Sequence, residues 1–259
     1  MYYSLISSMS KISDAEKFIL AAGITDATQK LAINNLVNDL KSYGIWTKMK
    51  ALYPFVGGTA SSHKFNLKDP RDLDEAFRLT FSGGWTHSSN GALPNGTNAY
   101  ANTFYTNISN NSSMWHYSRT NKLSGNEIEF GSISPNSIHH AIATYFSTYT
   151  YLYINILLDS TAIRYNSINT LGLFGANRKA SNILDGWENG IKKGTNTDNI
   201  ISVATSRSLT IGAYNAASVS YFSTKQTAFA SIGDGLTDTE ASNFYTSVQA
   251  YQTSLSRQV

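Results

Sequence analysis

The sequence predicts a mainly β protein, a sandwich or barrel, with a helical region at its beginning and a helix at its end. Between residues 65 and 231, short apolar or aromatic segments alternate with clusters of Gly, Asn and Ser. This pattern is typical of all-β sandwiches and barrels, in which many short strands are joined by turns. Capping motifs on both sides of that region indicate helices.

The N-terminal region begins with two predicted helices. Ser13 and Glu16 have the spacing of a capping box, and Gly23 ends the short helix that follows. A second helix opens at Asp26 and ends at Gly44, a residue suited to a left-handed C-terminal position. With the apolar segment 45–56, these helices define a helical region over residues 1–60.

Strand alternation is clearest over residues 148–156. Two sets of side chains fall on opposite sides of this strand: Tyr149, Tyr151, Tyr153 and Asn155 against Leu152, Ile154 and Ile156. Further along, Thr237 and Glu240 form a second capping box, which opens a helix over residues 238–255. We expect this helix to close a β domain that spans residues 61–259.

The composition excludes several classes of function. The chain has 20 basic and 17 acidic residues, and its net charge of +3 is too small to indicate a nucleic-acid partner. Cysteine is absent, which excludes disulfides and thiolate chemistry. Residues 1–10 lack the pattern of a secretory signal, and the most apolar run, 151–158, is shorter than the ~20 residues of a spanning helix. We expect no membrane insertion.

Four motifs in the β region resemble laminin-G-like, concanavalin-A-like jelly rolls. They are GALPNGTNAYA at 91–101, GWENGI at 186–191, LTIGA at 209–213 and GLTDTEA at 235–241. In the first, Asn95 and Gly96 supply a tight turn, while Leu93 and Tyr100 point into the core. The resemblance implies a concanavalin-A-like jelly-roll β-sandwich with a helical N-terminal region and a C-terminal helix.

A second resemblance covers nearly the whole chain. The runs WTKMKALYPFVGG at 46–58, FNLKDPR at 65–71 and FSGGWTHSSNG at 81–91 are similar to a set of tailed-phage structural proteins. So are IGDGLTDTEASNFY at 232–245 and SRQ at 256–258. Proteins of this set occur in crAss-like and other phages of gut Bacteroidetes. The resemblance implies a component of the virion.

Neither catalysis nor a metal site is indicated. A retaining glycosidase needs two carboxylates about 5–5.5 Å apart, and Glu127 and Glu129 supply only half of the laminarinase-type motif. We interpret them as solvent-facing, with Ile128 and Phe130 in the core. His139 and His140 are adjacent, so on a strand they point to opposite faces and do not share an ion. We therefore expect no enzyme activity, no cofactor and no metal.

Sugar binding is the second functional hypothesis. Lectin-like jelly rolls stack an exposed aromatic ring on the sugar, while amide side chains bond its hydroxyl groups. Trp187, in a polar hairpin beside Asn189, is the best candidate, and Trp85 is the second. In the alternative interpretation each tryptophan caps the core or packs against a neighbouring subunit.

The N-terminal region carries more apolar surface than a soluble particle leaves exposed. The side chains expected at an assembly interface are Leu36, Leu40, Trp46, Met49 and Tyr53. Either this surface packs on its own sandwich, with the C-terminal helix, or it docks the subunit into a homo-oligomer or onto the virion. We favour docking.

These observations predict a non-enzymatic virion structural protein on the outer surface of a phage particle, acting through contacts with other virion proteins. The chain has 24 Asn, 34 Ser and 25 Thr, which suits a surface that does not rely on salt-sensitive ion pairs. The alternative is a carbohydrate-binding adhesin of the virion that recognises host surface glycans.

Overall fold

The computed structural model describes residues 12–157, 161–199 and 206–259. Residues 1–10, which we compared with a secretory signal, lie outside this part, as does Leu158, the last residue of the apolar run. In the described part, no helix is long and apolar enough to cross a membrane.

The described residues form four α-helices: Asp14–Ala21 (α1), Ala27–Ser42 (α2), Ala60–His63 (α3) and Asp238–Ser254 (α4). The predicted caps are present. Ser13 Oγ accepts the amide hydrogen of Glu16 at 3.1 Å. Thr237 and Glu240 form the reciprocal capping box, at 3.3 and 2.8 Å. Gly44 follows α2 with a φ of 71°, which is the left-handed conformation expected there.

Seventeen strands are present in the described residues. In chain order they are β1 Met49–Tyr53, β2 Thr80–Ser82, β3 Trp85–Ser88, β4 Gly91–Pro94, β5 Tyr100–Asn102, β6 Ser112–Ser118, β7 Phe130–Ile133, β8 His139–Phe146, β9 Tyr149–Ile156, β10 Ile163–Asn166, β11 Gly172–Ala180, β12 Ile183–Glu188, β13 Ile191–Asn196, β14 Thr210–Ile211, β15 Tyr214–Asn215, β16 Val219–Ser220 and β17 Thr227–Gly233.

Two sheets stack into a sandwich, as predicted. The first has the order β13-β12-β11-β6-β17-β4-β3, with β1 also paired to β17. Because helices pack on its outer face, we call it the helix-covered sheet. The second has the order β10-β9-β8-β7-β14-β5-β2, with β15 also paired to β7 and β16 paired to β15, and we call it the open sheet. The predicted mainly β sandwich with helices at both ends is confirmed.

The chain has one apolar core on each side of the helix-covered sheet. On β6, Met114 belongs to the core between the two sheets. Its neighbours Trp115 and Tyr117 belong to the core beneath the helices. Because successive side chains of a strand point to opposite faces, one strand contributes to both cores.

The five residues expected at an assembly interface are buried within the chain, each at most 8 % exposed. Leu36, Leu40, Trp46 and Met49 join the core beneath the helices. Tyr53 lies in the core between the sheets, where its hydroxyl donates to the Phe77 carbonyl at 2.7 Å. Docking through these residues is therefore a wrong prediction, because their surface is used to cover the chain's own sandwich. The same stretch also contains β1, so region 1–60 is not wholly helical.

Hydrogen bonds from one buried arginine hold the C-terminal segment against the rest of the domain. The guanidinium of Arg257 donates to Gln252 Oε1 at 2.9 Å and to four backbone carbonyls, those of Pro54, Phe55, Ser89 and Ala228. The segment after α4 is thereby tied to the N-terminal region and to β17. The run 256–258 thus has a structural role.

Leu40→Ala should lower the free energy of unfolding by about 2–5 kcal/mol, because it opens a cavity in the core beneath the helices. Leu40 is 0 % exposed, whereas Leu31 on the same helix is 62 % exposed. Leu31→Ala is the matched control, with an expected change of about 0.5 kcal/mol or less. Urea unfolding and light scattering measure stability and mass. A change of oligomeric state without loss of stability would restore the docking role of Leu40.

Candidate functional site

A cavity of about 220 Å³ opens on the face of the open sheet that points away from the other sheet. Ile142 and Leu152 belong to the core between the sheets. Their neighbours along β8 and β9, among them Ala141 and Tyr153, pack against the same core but line the cavity, because alternation turns their side chains to the other face of the sheet. We call this site the aromatic pocket; its lining residues are Ile128, His139, Ala141, Ala143, Phe146, Tyr151, Tyr153, Tyr214 and Tyr221. None of them belongs to a helix.

One wall of the pocket is a series of stacked rings. Tyr151 and Tyr153 are parallel to within 1°, with their centroids 5.5 Å apart. His139 stacks on Tyr153 at 5.5 Å and on Tyr214 at 6.1 Å. The Tyr214 hydroxyl also lies 2.7 Å from His139 Nδ1. The series exists because Tyr151 and Tyr153 share a face of β9, and β8 lies beside it with Ala141 opposite Tyr153.

The opposite wall consists of Phe146 and Tyr221. Phe146 meets Tyr151 edge to face at 6.2 Å and Tyr221 at 5.2 Å. The floor between the walls carries the small side chains Ala141 and Ala143, which leave the space open. Tyr221 is 46 % exposed and is thus the lining ring most open to solvent.

The two glutamates beside the pocket are buried, which corrects their predicted solvent-facing position. Lys225 lies 2.7 Å from Glu129 and 3.1 Å from Glu127. Lys122 also pairs with Glu127. Burial opposes the ionisation of Glu127, but the bond from Lys122 and the charge of Lys225 outweigh it and lower its pKa to about 2. This network keeps two acidic groups buried at nearly neutral local charge.

The tryptophan and asparagine predicted to bind sugar lie elsewhere. Trp187 is 4 % exposed and belongs to the core beneath the helices. Asn189 has a φ of 48°, and its side-chain oxygen accepts from the Leu173 amide at 2.8 Å. Its side-chain amide donates to the Leu171 carbonyl at 3.1 Å. The prediction of a stacking site at Trp187 and Asn189 is therefore wrong, because the ring is enclosed and the amide stabilises a turn.

Trp85 is partly exposed on β3, an edge strand of the helix-covered sheet. Its indole N–H lies 3.1 Å from the Ser82 carbonyl and 3.3 Å from that of Tyr100. It is not among the residues that line the aromatic pocket. Sugar stacking at Trp85 stays a prediction.

Histidines and acidic residues are not arranged as a metal site in the described residues, where no group of three or more such ligands occurs. His139 lines the pocket, whereas His140 is fully buried and its Nδ1 accepts from the Asn155 amide at 3.1 Å. The two neighbours thus point in different directions, as the alternation of a strand predicts.

Residues far apart in the sequence assemble the pocket, and sequence reasoning missed most of them. The alternation around Tyr151 was the one signal available, and it placed the tyrosines on a common face. His139, Phe146 and Tyr214 join them only through the pairing of β7, β8, β9 and β15, and Tyr221 follows β16, which pairs with β15.

No protein-family profile and no curated protein matches the chain. Solved structures match its fold. Domain 4 of AbnA, a GH43 extracellular arabinanase from Geobacillus stearothermophilus in complex with arabinotriose, has a TM-score of 0.54 and 16 % identity, covering 76 % of this chain and 98 % of that one. The binding domain of botulinum neurotoxin DC in complex with rat synaptotagmin II has a TM-score of 0.52 and 12 % identity, covering 79 % and 53 %.

A third match is a botulinum neurotoxin type C structure, a toxin whose passage into cells depends on interaction with two ganglioside molecules. Its TM-score is 0.53 at 12 % identity, and it covers 80 % of this chain and 53 % of that one. The chain thus spans about half the length of the neurotoxin domains. At these identities, the likeness shows a jelly-roll-like β-sandwich fold.

Stability should fall in mild acid because of three buried histidines, His63, His116 and His140. Burial lowers the pKa of each to about 3. An unfolded histidine titrates near 6.5, so below that pH the unfolded chain takes up protons that the folded chain does not. Their stabilising effect is complete above pH 6.5 and is lost as the pH falls towards 3, at about 1.4 kcal/mol per pH unit for each histidine.

Urea unfolding at intervals from pH 7 to pH 4 measures this loss. In a His116→Gln variant the slope should be shallower by about 1.4 kcal/mol per pH unit, because one of the three groups is gone. An unchanged slope in that variant would contradict the assignment of a neutral buried His116.

Proposed function

We propose that the chain is a glycan-binding domain and that the aromatic pocket is its binding site. The observation that supports the proposal is the pocket itself, an open cavity walled by five aromatic rings and His139 on a sheet face that no helix residue lines. Aromatic rings pack against the C–H face of a sugar, while hydroxyl and imidazole groups bond its hydroxyls. Tyr151, Tyr153, Tyr214 and Tyr221 carry both chemistries.

The size of the pocket indicates a short ligand. Its volume of about 220 Å³ is below the roughly 300 Å³ at which pockets for drug-sized molecules begin. This size suits one sugar unit, such as a branch or chain end, rather than a long stretch of polysaccharide. The fold likeness supports the proposal in that two similar structures are domains of proteins with glycan ligands, arabinotriose and gangliosides.

We propose binding without cleavage. Glycoside hydrolysis needs two carboxylates at the scissile bond, and the residues that line the pocket include no carboxylate. The neighbouring Glu127 and Glu129 are held by Lys225, so neither is free to donate or accept a proton at a substrate.

Tyr221→Ala should weaken glycan binding about tenfold or more, because it removes the most accessible ring of the pocket. Its stability cost should stay near 0.5 kcal/mol, as for other exposed positions. Tyr43→Ala is the matched control, since Tyr43 is 42 % exposed at the end of α2. A glycan array identifies ligands, and calorimetry compares the variants. Equal affinity of both variants, or release of reducing sugar by the wild type, would contradict the proposal.

The placement of this domain on a phage virion, with other virion proteins as partners, rests on the sequence resemblance and stays a prediction. A host-recognising adhesin on the outer surface of the particle would be both a virion component and a glycan-binding protein, so it agrees with both functional hypotheses. Mass spectrometry of purified particles of the phage that encodes the chain should detect it in multiple copies per particle. Its absence from purified particles would contradict the virion role. The predicted homo-oligomer is a separate prediction, and a monomeric mass in solution would contradict it.

A further inference from the structure

Arg164 stands beside the aromatic pocket on the same face of the open sheet. It lies on β10, directly opposite Tyr151 of β9. Residues opposite each other in an antiparallel pair share a face. The guanidinium carbon is 4.7 Å from the centroid of the Tyr149 ring and 6.0 Å from that of Tyr151. The side chain is exposed to solvent.

Arg164 has no acidic partner among the described residues, where no carboxylate oxygen comes within 4.0 Å of it. Arg71, the other arginine classed as exposed among the described residues, behaves differently, because it is paired with Asp69. The acids nearest the pocket, Glu127 and Glu129, are already neutralised by Lys122 and Lys225. Within the described residues, the rim of the pocket therefore carries one positive charge without an acidic partner.

The two tyrosine rings hold that charge in a restricted position. The guanidinium also contacts the Tyr151 hydroxyl, which engages part of its N–H edge. A guanidinium held in this way loses part of its conformational freedom before any ligand arrives, while its remaining N–H groups stay available. A planar fork of donors matches the two oxygens of a carboxylate in a bidentate pair. One arginine balances one carboxylate, with no charge left over.

We propose that the ligand of the aromatic pocket is an acidic sugar, and that Arg164 binds its carboxylate. Sialic and uronic acids are the sugars of this class. The inference rests on the proposed glycan-binding function and adds the chemical class of the ligand. The sugar ring occupies the pocket between Tyr151 and Tyr221, and its carboxylate extends to the β10 edge.

The test uses the full chain and sugars that differ in one charged group. Calorimetry compares 3′-sialyllactose with lactose, and trigalacturonate with galactotriose; 3′-sulfolactose tests whether any anion suffices. The wild type should bind one acidic sugar at least tenfold more tightly than its neutral counterpart. This advantage should shrink in high salt, because the arginine is exposed.

Three variants assign the effect to the guanidinium. Arg164→Gln should bring the affinity for the acidic sugar down to the affinity for its neutral counterpart. Arg164→Lys should keep part of the preference, because it retains the charge but not the fork. Arg71→Gln, an exposed arginine paired with Asp69, is the matched control and should change nothing.

The outcomes separate this inference from the proposed function. If neutral sugars bind equally well and Arg164→Gln has no effect, while Tyr221→Ala still weakens binding, the acidic-sugar inference is wrong and the glycan site stands. Tighter binding of 3′-sulfolactose than of 3′-sialyllactose would also overturn the carboxylate assignment. If no glycan binds at all, the proposed function fails and this inference fails with it.

Discussion

The helix-covered sheet carries large apolar side chains on both faces, and each face must be removed from water. On β6, Met114 points to the other sheet while Trp115 and Tyr117 point to the helices. A sheet face that carries several large apolar side chains is removed from water when a globular domain folds. Helices α2 and α4 therefore cover the outer face, and Phe244 of α4 packs on Trp115 at 5.2 Å. The aromatic pocket lies on the outer face of the other sheet, the open sheet, and no helix residue lines it.

Charge around the pocket is controlled by Lys225. Two glutamates lie buried beside the site, and a buried carboxylate without a partner is strongly destabilising. Lys225 bonds both, at 2.7 and 3.1 Å, and is itself fully buried. The acids thus contribute little negative potential at the surface. The exposed guanidinium of Arg164 beside the pocket, by contrast, has no ion-pair partner among the described residues.

The helix caps were predictable from the sequence, whereas the burial of Glu127, Glu129 and Trp187 was not. The caps at Ser13 and Thr237 depend on residues three positions apart, so their motifs could be recognised directly. The glutamates were misplaced because alternation describes only the strand itself. Their partner, Lys225, is 98 and 96 positions away from Glu127 and Glu129. Trp187 was misplaced for the same reason, since it belongs to a core that also contains Phe244, from a helix that begins only at Asp238.

The pocket combines features that favour binding to a preformed surface. Four of its rings, those of His139, Phe146, Tyr151 and Tyr153, stand on strands β8 and β9, whose paired backbones fix their positions better than free loops do. Stacking of Tyr151 on Tyr153 further limits their rotamers before a ligand binds. Ordering side chains on binding costs roughly 0.5–1.5 kcal/mol for each one immobilised, and a pre-stacked wall avoids much of that cost. A pocket of this kind therefore loses little of a ligand's binding free energy to the ordering of its own wall.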